Sequence, residues 1–133
     1  MNTIESFSQY IETYNKGDYD TILNRYYTDD VIFDSGTGAH AVGREEVKKF
    51  LIKSHAHVSE KLLPQAVAFG ENVLASEVLG EFACREGSDR NKFEAIFKAS
   101  ADEVVRMRLF AFYHLRGDKA FHVKVAIWPV GRL

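Results

Sequence analysis

The chain has 133 residues, 46% of them hydrophobic and 27% charged, enough to bury its own core as one domain spanning 1–133. Lys and Arg total 17 against 19 Asp and Glu, a formal net charge of -2, which argues against nucleic acid held by overall positive charge. An aromatic content of 13% excludes disorder as a whole-chain reading, and a single cysteine, Cys84, excludes an internal disulfide framework or a cysteine-rich zinc site.

Ile4, Phe7, Ile11 and Tyr14 recur at spacings of three and four, as one face of an opening helix requires. Asn2 or Thr3 can cap its start, and Gly17 suits a left-handed cap at its end. Asp18 then caps a second helix with Ile22, Leu23, Tyr26 and Tyr27 as its apolar set, ended by Thr28-Asp29-Asp30. Val31-Ile32-Phe33-Asp34 is a short β-rich run, and Ser35-Gly36-Thr37-Gly38 is a loop. Gly43 leads into a third helix with Val47, Phe50, Leu51 and Ser54 on one stripe. Four strand-like runs follow, Glu60 to Phe69, Val73 to Arg85, Val104 to Leu115 and Phe121 to Trp128. Residues 89–102 read equally as a short helix or a strand extension, and a lid is one hypothesis for them. Helices first and long strands after is the α+β order, with helices packed on one face of an antiparallel sheet. No apolar run approaches ~18 residues, so no membrane helix is expected. The opening MNTIESFSQY lacks a basic segment and an apolar one, so the expected setting is the cytoplasm.

Period two divides each strand between two faces. Phe121, Val123, Val125 and Ile127 share one face of the last strand, and Met107, Leu109, Ala111, Tyr113 and Leu115 one face of the strand before it. Val78, Gly80, Phe82 and Cys84 belong with them. The small Gly80 and Ala111 leave room for a pocket on this apolar face. The opposite face mixes Glu77 and Glu81 with Arg106, Arg108 and Lys124, interleaved with Phe110, Phe112 and Trp128. Opposite charges on neighbouring strands contribute roughly 0.2–1 kcal/mol per pair. Three large aromatics among them point to a covered face, and a homodimer through it is the expected partner.

Several stretches carry a family resemblance: Tyr14-Asn15-Lys16-Gly17-Asp18-Tyr19-Asp20, Tyr27-Thr28-Asp29-Asp30-Val31-Ile32-Phe33-Asp34, Gly43-Arg44-Glu45-Glu46-Val47, and Phe110-Ala111-Phe112-Tyr113 with Arg116-Gly117-Asp118-Lys119. In these the chain resembles the nuclear-transport-factor-2-like, or SnoaL-like, superfamily, which includes ketosteroid isomerases, polyketide cyclases and scytalone dehydratase. The resemblance implies a cone in which a curved sheet wraps a long helix around one deep, mostly apolar cavity. It also implies candidate roles. Asp34, four residues after the Asp29-Asp30 pair, falls where ketosteroid isomerases keep a general base. Tyr10, seven residues before Gly17, falls where they keep an oxyanion tyrosine. Their third acidic group is missing, since no Asp or Glu occurs between Arg106 and Arg116. The dehydratase branch implies a histidine–aspartate dyad, here His57 with Asp18.

The expected catalytic set is therefore Asp34, Tyr10, His57 and Asp18. The expected lining of the cavity is Tyr14, Tyr26, Val78, Phe82, Leu109, Ala111, Tyr113, Val123, Val125 and Ile127. Each has a plainer alternative: Asp34 as a turn residue, Tyr10 as a core tyrosine, Asp18 as a helix cap, His57 as a surface histidine. His55-Ala56-His57 is one pair without a third ligand, so no metal is expected. The expectation is cofactor-free acid–base chemistry, as isomerase, cyclase or dehydratase, on a small hydrophobic molecule. The rivals on the same fold are a non-catalytic ligand binder and a protein-interaction module.

Overall fold

The computed structural model describes residues 1–129. Helix α1 spans Ile4–Asn15, and the Thr3 side chain caps it by accepting from the Ser6 amide. Its inward face is Phe7, Tyr10, Ile11 and Tyr14, while Ile4 is 70% exposed, so the buried stripe begins one turn later than the periodicity predicts. Gly17 takes a φ of 71°, and Asp18 caps the next turn through the Thr21 amide. That turn is α2 (Tyr19–Thr21), which widens into a π-helical turn over Ile22–Tyr26.

Strand β1 spans Tyr27–Asp34 and begins four residues earlier than expected, so Tyr27 belongs to the sheet and not to the helix. It forms an antiparallel pair with β2 (His40–Val42), a strand too short to register as periodicity. Helix α3 (Arg44–Ser54) buries Val47 and Leu51. The strands β3 (Val58–Gly70), β4 (Val73–Cys84), β5 (Val105–Arg116) and β6 (Lys119–Ile127) follow, with helix α4 (Arg90–Phe97) between β4 and β5. Asp89 caps α4 through two amides, which settles the ambiguous segment as helix.

The six strands form one sheet in the order β2-β1-β6-β5-β4-β3. All neighbours are antiparallel except β1 and β6, which run parallel, so the expectation of a purely antiparallel sheet needs that correction. Helices α1 and α3 pack on its inner face, the mixed α+β cone. Leu74, Ser76 and Val78 of β4 stand beside Tyr113, Ala111 and Leu109 of β5, and these beside Val123, Val125 and Ile127 of β6. One residue breaks the expected parity. His114 pairs with His122 and Leu115 with Ala120, so Phe121 is the extra residue of a bulge. Ala120 is fully buried, and the Phe121 ring lies on the outer side under the Arg116 guanidinium, 4.9 Å away. On that outer face Arg106 bonds Glu81 at 3.0 Å and Arg108 approaches Glu77 at 3.6 Å, the cross-strand pairs expected from the sequence.

Candidate active site

At the centre of the inner face stands a knot of tyrosines. The Tyr10 and Tyr27 hydroxyls share a hydrogen bond of 2.6 Å, and the Tyr10 ring packs against Phe7, Tyr14, Tyr26 and Tyr113. Burial pushes the Tyr10 and Tyr27 phenols well above their ordinary range and Tyr113 up to about 12, so all three stay neutral. Tyr10 is thus a core tyrosine with a satisfied hydroxyl, and it lines neither of the two cavities described below.

The cavity lies further toward the open end of the cone, with a volume of about 370 Å³. Its walls are Phe33, Phe50 and Leu51 on one side, Phe82, Met107, Leu109, Val125 and Ile127 from the sheet, and Ile96 and Phe97 of α4 at the mouth. The Ser35-Gly36-Thr37 loop borders it. Of the expected lining, Tyr14, Phe82, Leu109, Val125 and Ile127 are present; Tyr26, Val78, Ala111, Tyr113 and Val123 share the inner face but are packed into the core. Gly80 does not create the room predicted for it: a Cβ there would meet the Phe82 ring at 2.8 Å, so the space is already filled.

Asp34 does not face this cavity. Strand β1 places Phe33 inward beside Val123, and period two therefore turns Asp34 outward beside Lys124. There its carboxylate is bonded by His122 Nε2 at 2.6 Å and by His40 Nδ1 at 2.5 Å. These two bonds hold its carboxyl below the usual carboxylate range, the opposite of the shift that would make it a better base. The expected His57–Asp18 dyad does not form either. Asp18 accepts from the Thr21 amide and hydroxyl as a helix cap, and His57 Nδ1 accepts from the Asp89 amide at 3.4 Å.

Beside Tyr14, the cavity wall holds a histidine and a carboxylate that the expected catalytic set does not include. His55 closes α3 and is 8% exposed. Glu60 is the third residue of β3, on the inward side between the buried Val58 and Leu62, and its side chain is 14% exposed. Their side chains meet at 2.7 Å, His55 Nε2 to Glu60 Oε2. An ionised carboxylate only accepts, so the Nε2–H donates. The Tyr14 hydroxyl adds a longer bond to the same oxygen at 3.4 Å, and burial beside the Glu60 charge keeps that phenol neutral. The signal was available: Val58, Glu60 and Leu62 alternate, and a carboxylate on the apolar side of an alternating strand is the informative exception.

Beyond this pair lies a second, polar cleft of about 420 Å³, lined by Asn15, Lys16, Gly17, Tyr19, Ser59 and Arg85 among others. Tyr14, His55 and Glu60 border both spaces. Arg85 braces the turn that carries His55, donating from Nε to the His55 carbonyl at 3.0 Å and from its terminal nitrogen to the Val58 carbonyl at 3.4 Å. Among the described residues, no group of three or more His, Cys, Asp or Glu has a metal-binding arrangement, and no helix is long and apolar enough to cross a membrane.

Comparison with known proteins bears on this geometry. The profile of the SnoaL-like domain matches residues 7–123. A SnoaL-like polyketide cyclase from Agrobacterium tumefaciens superposes with a TM-score of 0.73 at 17% identity, covering 98% of this chain and 95% of that one. An LEH-like epoxide hydrolase from M. tuberculosis gives 0.69 at 9% identity, covering 93% and 80%. TerC co-crystallised with polyporic acid gives 0.71 at 14% identity, covering 93% and 89%. No curated protein matches the sequence. With its profile spanning most of the length and its cone matched by these folds, the chain belongs to the SnoaL-like domain family.

Proposed function

We propose that the protein is a cofactor-free acid–base enzyme acting on a small hydrophobic molecule held in the apolar cavity, in the isomerase, cyclase or dehydratase class. Glu60 accepts the proton, and His55 fixes the carboxylate and supplies the opposing N–H. One observation carries this reading: a paired carboxylate and imidazole, 14% and 8% exposed, border a cavity walled mostly by apolar side chains. Withdrawing two such groups from water costs several kcal/mol per ion where they are charged, and packing alone is better served by apolar side chains. A neutral ligand suits the site, because a negative one meets the Glu60 carboxylate. The same reading includes a homodimer through the outer sheet face.

The test is carbon-acid exchange on β-tetralone, a hydrophobic ketone with acidic α-protons, followed by NMR in heavy water. The wild-type protein accelerates exchange of those protons. Glu60→Gln keeps the fold and the binding of the ketone and loses exchange by about 10²–10⁴-fold, the usual size of a general-base contribution. Binding without acceleration by the wild-type protein defeats the enzyme reading and leaves the ligand-binding one, which the small-molecule complex of TerC favours.

A further inference from the structure

Tyr19 borders only the polar cleft, yet it holds the far side of the imidazole that meets Glu60. Its hydroxyl lies 2.7 Å from His55 Nδ1. Its ring plane lies within 11° of the imidazole plane with centroids 5.7 Å apart, so the phenol meets the imidazole end-on through this bond and does not overlap its face. The hydrogen bond restrains the rotation of the imidazole. Tyr14 closes the third side with an edge contact at 5.8 Å. The His55 ring is therefore held at both nitrogens and flanked by Tyr14.

The chemistry of the partner matters as much as its position. Burial raises the Tyr19 phenol above its ordinary range, with Arg85 opposing and the Glu60 charge reinforcing the shift, so the hydroxyl is neutral. A neutral phenol both donates and accepts. Toward a neutral imidazole it donates to Nδ1, and the ring proton then sits on Nε2, facing Glu60. Toward an imidazolium it accepts from Nδ1–H. A carboxylate or carbonyl in its place can only accept, and it would draw the single proton of a neutral ring to Nδ1 and leave Nε2 bare against the Glu60 carboxylate.

Resting on the acid–base reading of this site, we propose that Tyr19 is a positioning residue for it: its hydroxyl reserves Nδ1 of His55 as an acceptor, so the ring carries its proton on Nε2 and presents it to Glu60. Tyr19 itself touches no ligand in the apolar cavity. Its effect passes through His55, and through His55 to the carboxylate.

The first arm of the test needs no ligand. Nitrogen NMR of the labelled histidines, at a pH where the His55 ring is neutral, gives the Nε2–H tautomer in the wild-type protein. In Tyr19→Phe, which keeps the ring and removes the hydroxyl alone, the Nδ1–H form appears alongside it. A wild-type ring with its proton on Nδ1 overturns the proposal, even if the variant fails to fold. The second arm is β-tetralone exchange, where Tyr19→Phe lowers kcat by about tenfold and leaves KM in place, a loss on the order of that seen when the partner orienting a metal-bound histidine is removed. A variant with unchanged tautomer and unchanged kcat overturns the proposal while a dead Glu60→Gln leaves the acid–base reading standing. If the wild-type protein does not exchange β-tetralone, the acid–base reading falls, and the tautomer measurement alone decides the role of Tyr19.

Discussion

Asp34 and Glu60 are both carboxylates beside histidines, and their environments separate them. Asp34 is 38% exposed on its side chain and accepts from two imidazoles on the outer face. Because its folded pKa is depressed, Asp34 contributes stability that is fully present above the unfolded carboxylate value of about 3.9 and is lost as pH falls through the folded value. Urea denaturation of Asp34→Asn therefore shows a deficit at neutral pH that shrinks below about pH 4 and vanishes under strong acid. The same variant exchanges β-tetralone at the wild-type rate. A loss of exchange comparable to that of Glu60→Gln would return the base to Asp34. The sequence contained the means to make this distinction: Phe33 and Asp34 are adjacent, so they cannot both face inward. The family resemblance implied Asp34, whereas the alternation of Val58, Glu60 and Leu62 marks Glu60 as the inward carboxylate. His55 and His57 differ in the same way, since the residue that ends α3 turns back toward the cavity while the one two positions on meets the Asp89 amide.

Elements with a strong local period were legible without coordinates. Helices α1 and α3 and the long strands β3 to β6 announce themselves because apolar spacing is a property of neighbours in the chain. Strand β2, with three residues, is too short to carry a period, and the parallel pairing of β1 with β6 joins residues about ninety positions apart. The Phe121 bulge was hidden for a related reason: parity assumes an unbroken register, and only the partner strand reveals the extra residue. Cavity size was likewise unreadable, because it depends on how α3, α4 and the sheet meet. The cavity makes its own prediction. Val125 lines it from β6, two residues from Ile127 and across from Ala111. Val125→Phe fills part of the 370 Å³ and removes β-tetralone binding in an NMR titration, while the melting temperature holds or rises because a void is being occupied. A large drop in melting temperature would mean that the site is close-packed and that the added ring is forced against its neighbours.

At the scale of the whole molecule, the outer sheet face is the surface whose composition asks for a cover. Phe112 is 49% and Trp128 57% exposed, and Phe110 lies between them, its ring 6.1 Å from that of Trp128. Two cation–anion pairs on this face are made within the chain, Arg106 with Glu81 and Arg108 with Glu77, and Arg108 also lies over the Trp128 ring at 5.7 Å. Neutralised pairs cost less to desolvate than lone charges, which favours burying the part of the face that holds them. Its rows of glutamate and arginine on adjacent strands are self-complementary under a two-fold axis, with the acidic row of one copy over the basic row of the other. Under the proposed reading the occupant of this face is a second copy of this chain. Phe112 stands directly across from Lys124, so Phe112→Lys sets two like charges side by side at the centre of the face and removes an apolar anchor. Sedimentation equilibrium gives a dimer for the wild-type protein and a monomer for Phe112→Lys, with circular dichroism unchanged because the substituted side chain is half exposed in the single chain. A wild-type protein that sediments as a monomer across the micromolar range, or a variant that stays dimeric, removes this face as the interface and leaves its aromatics to another partner.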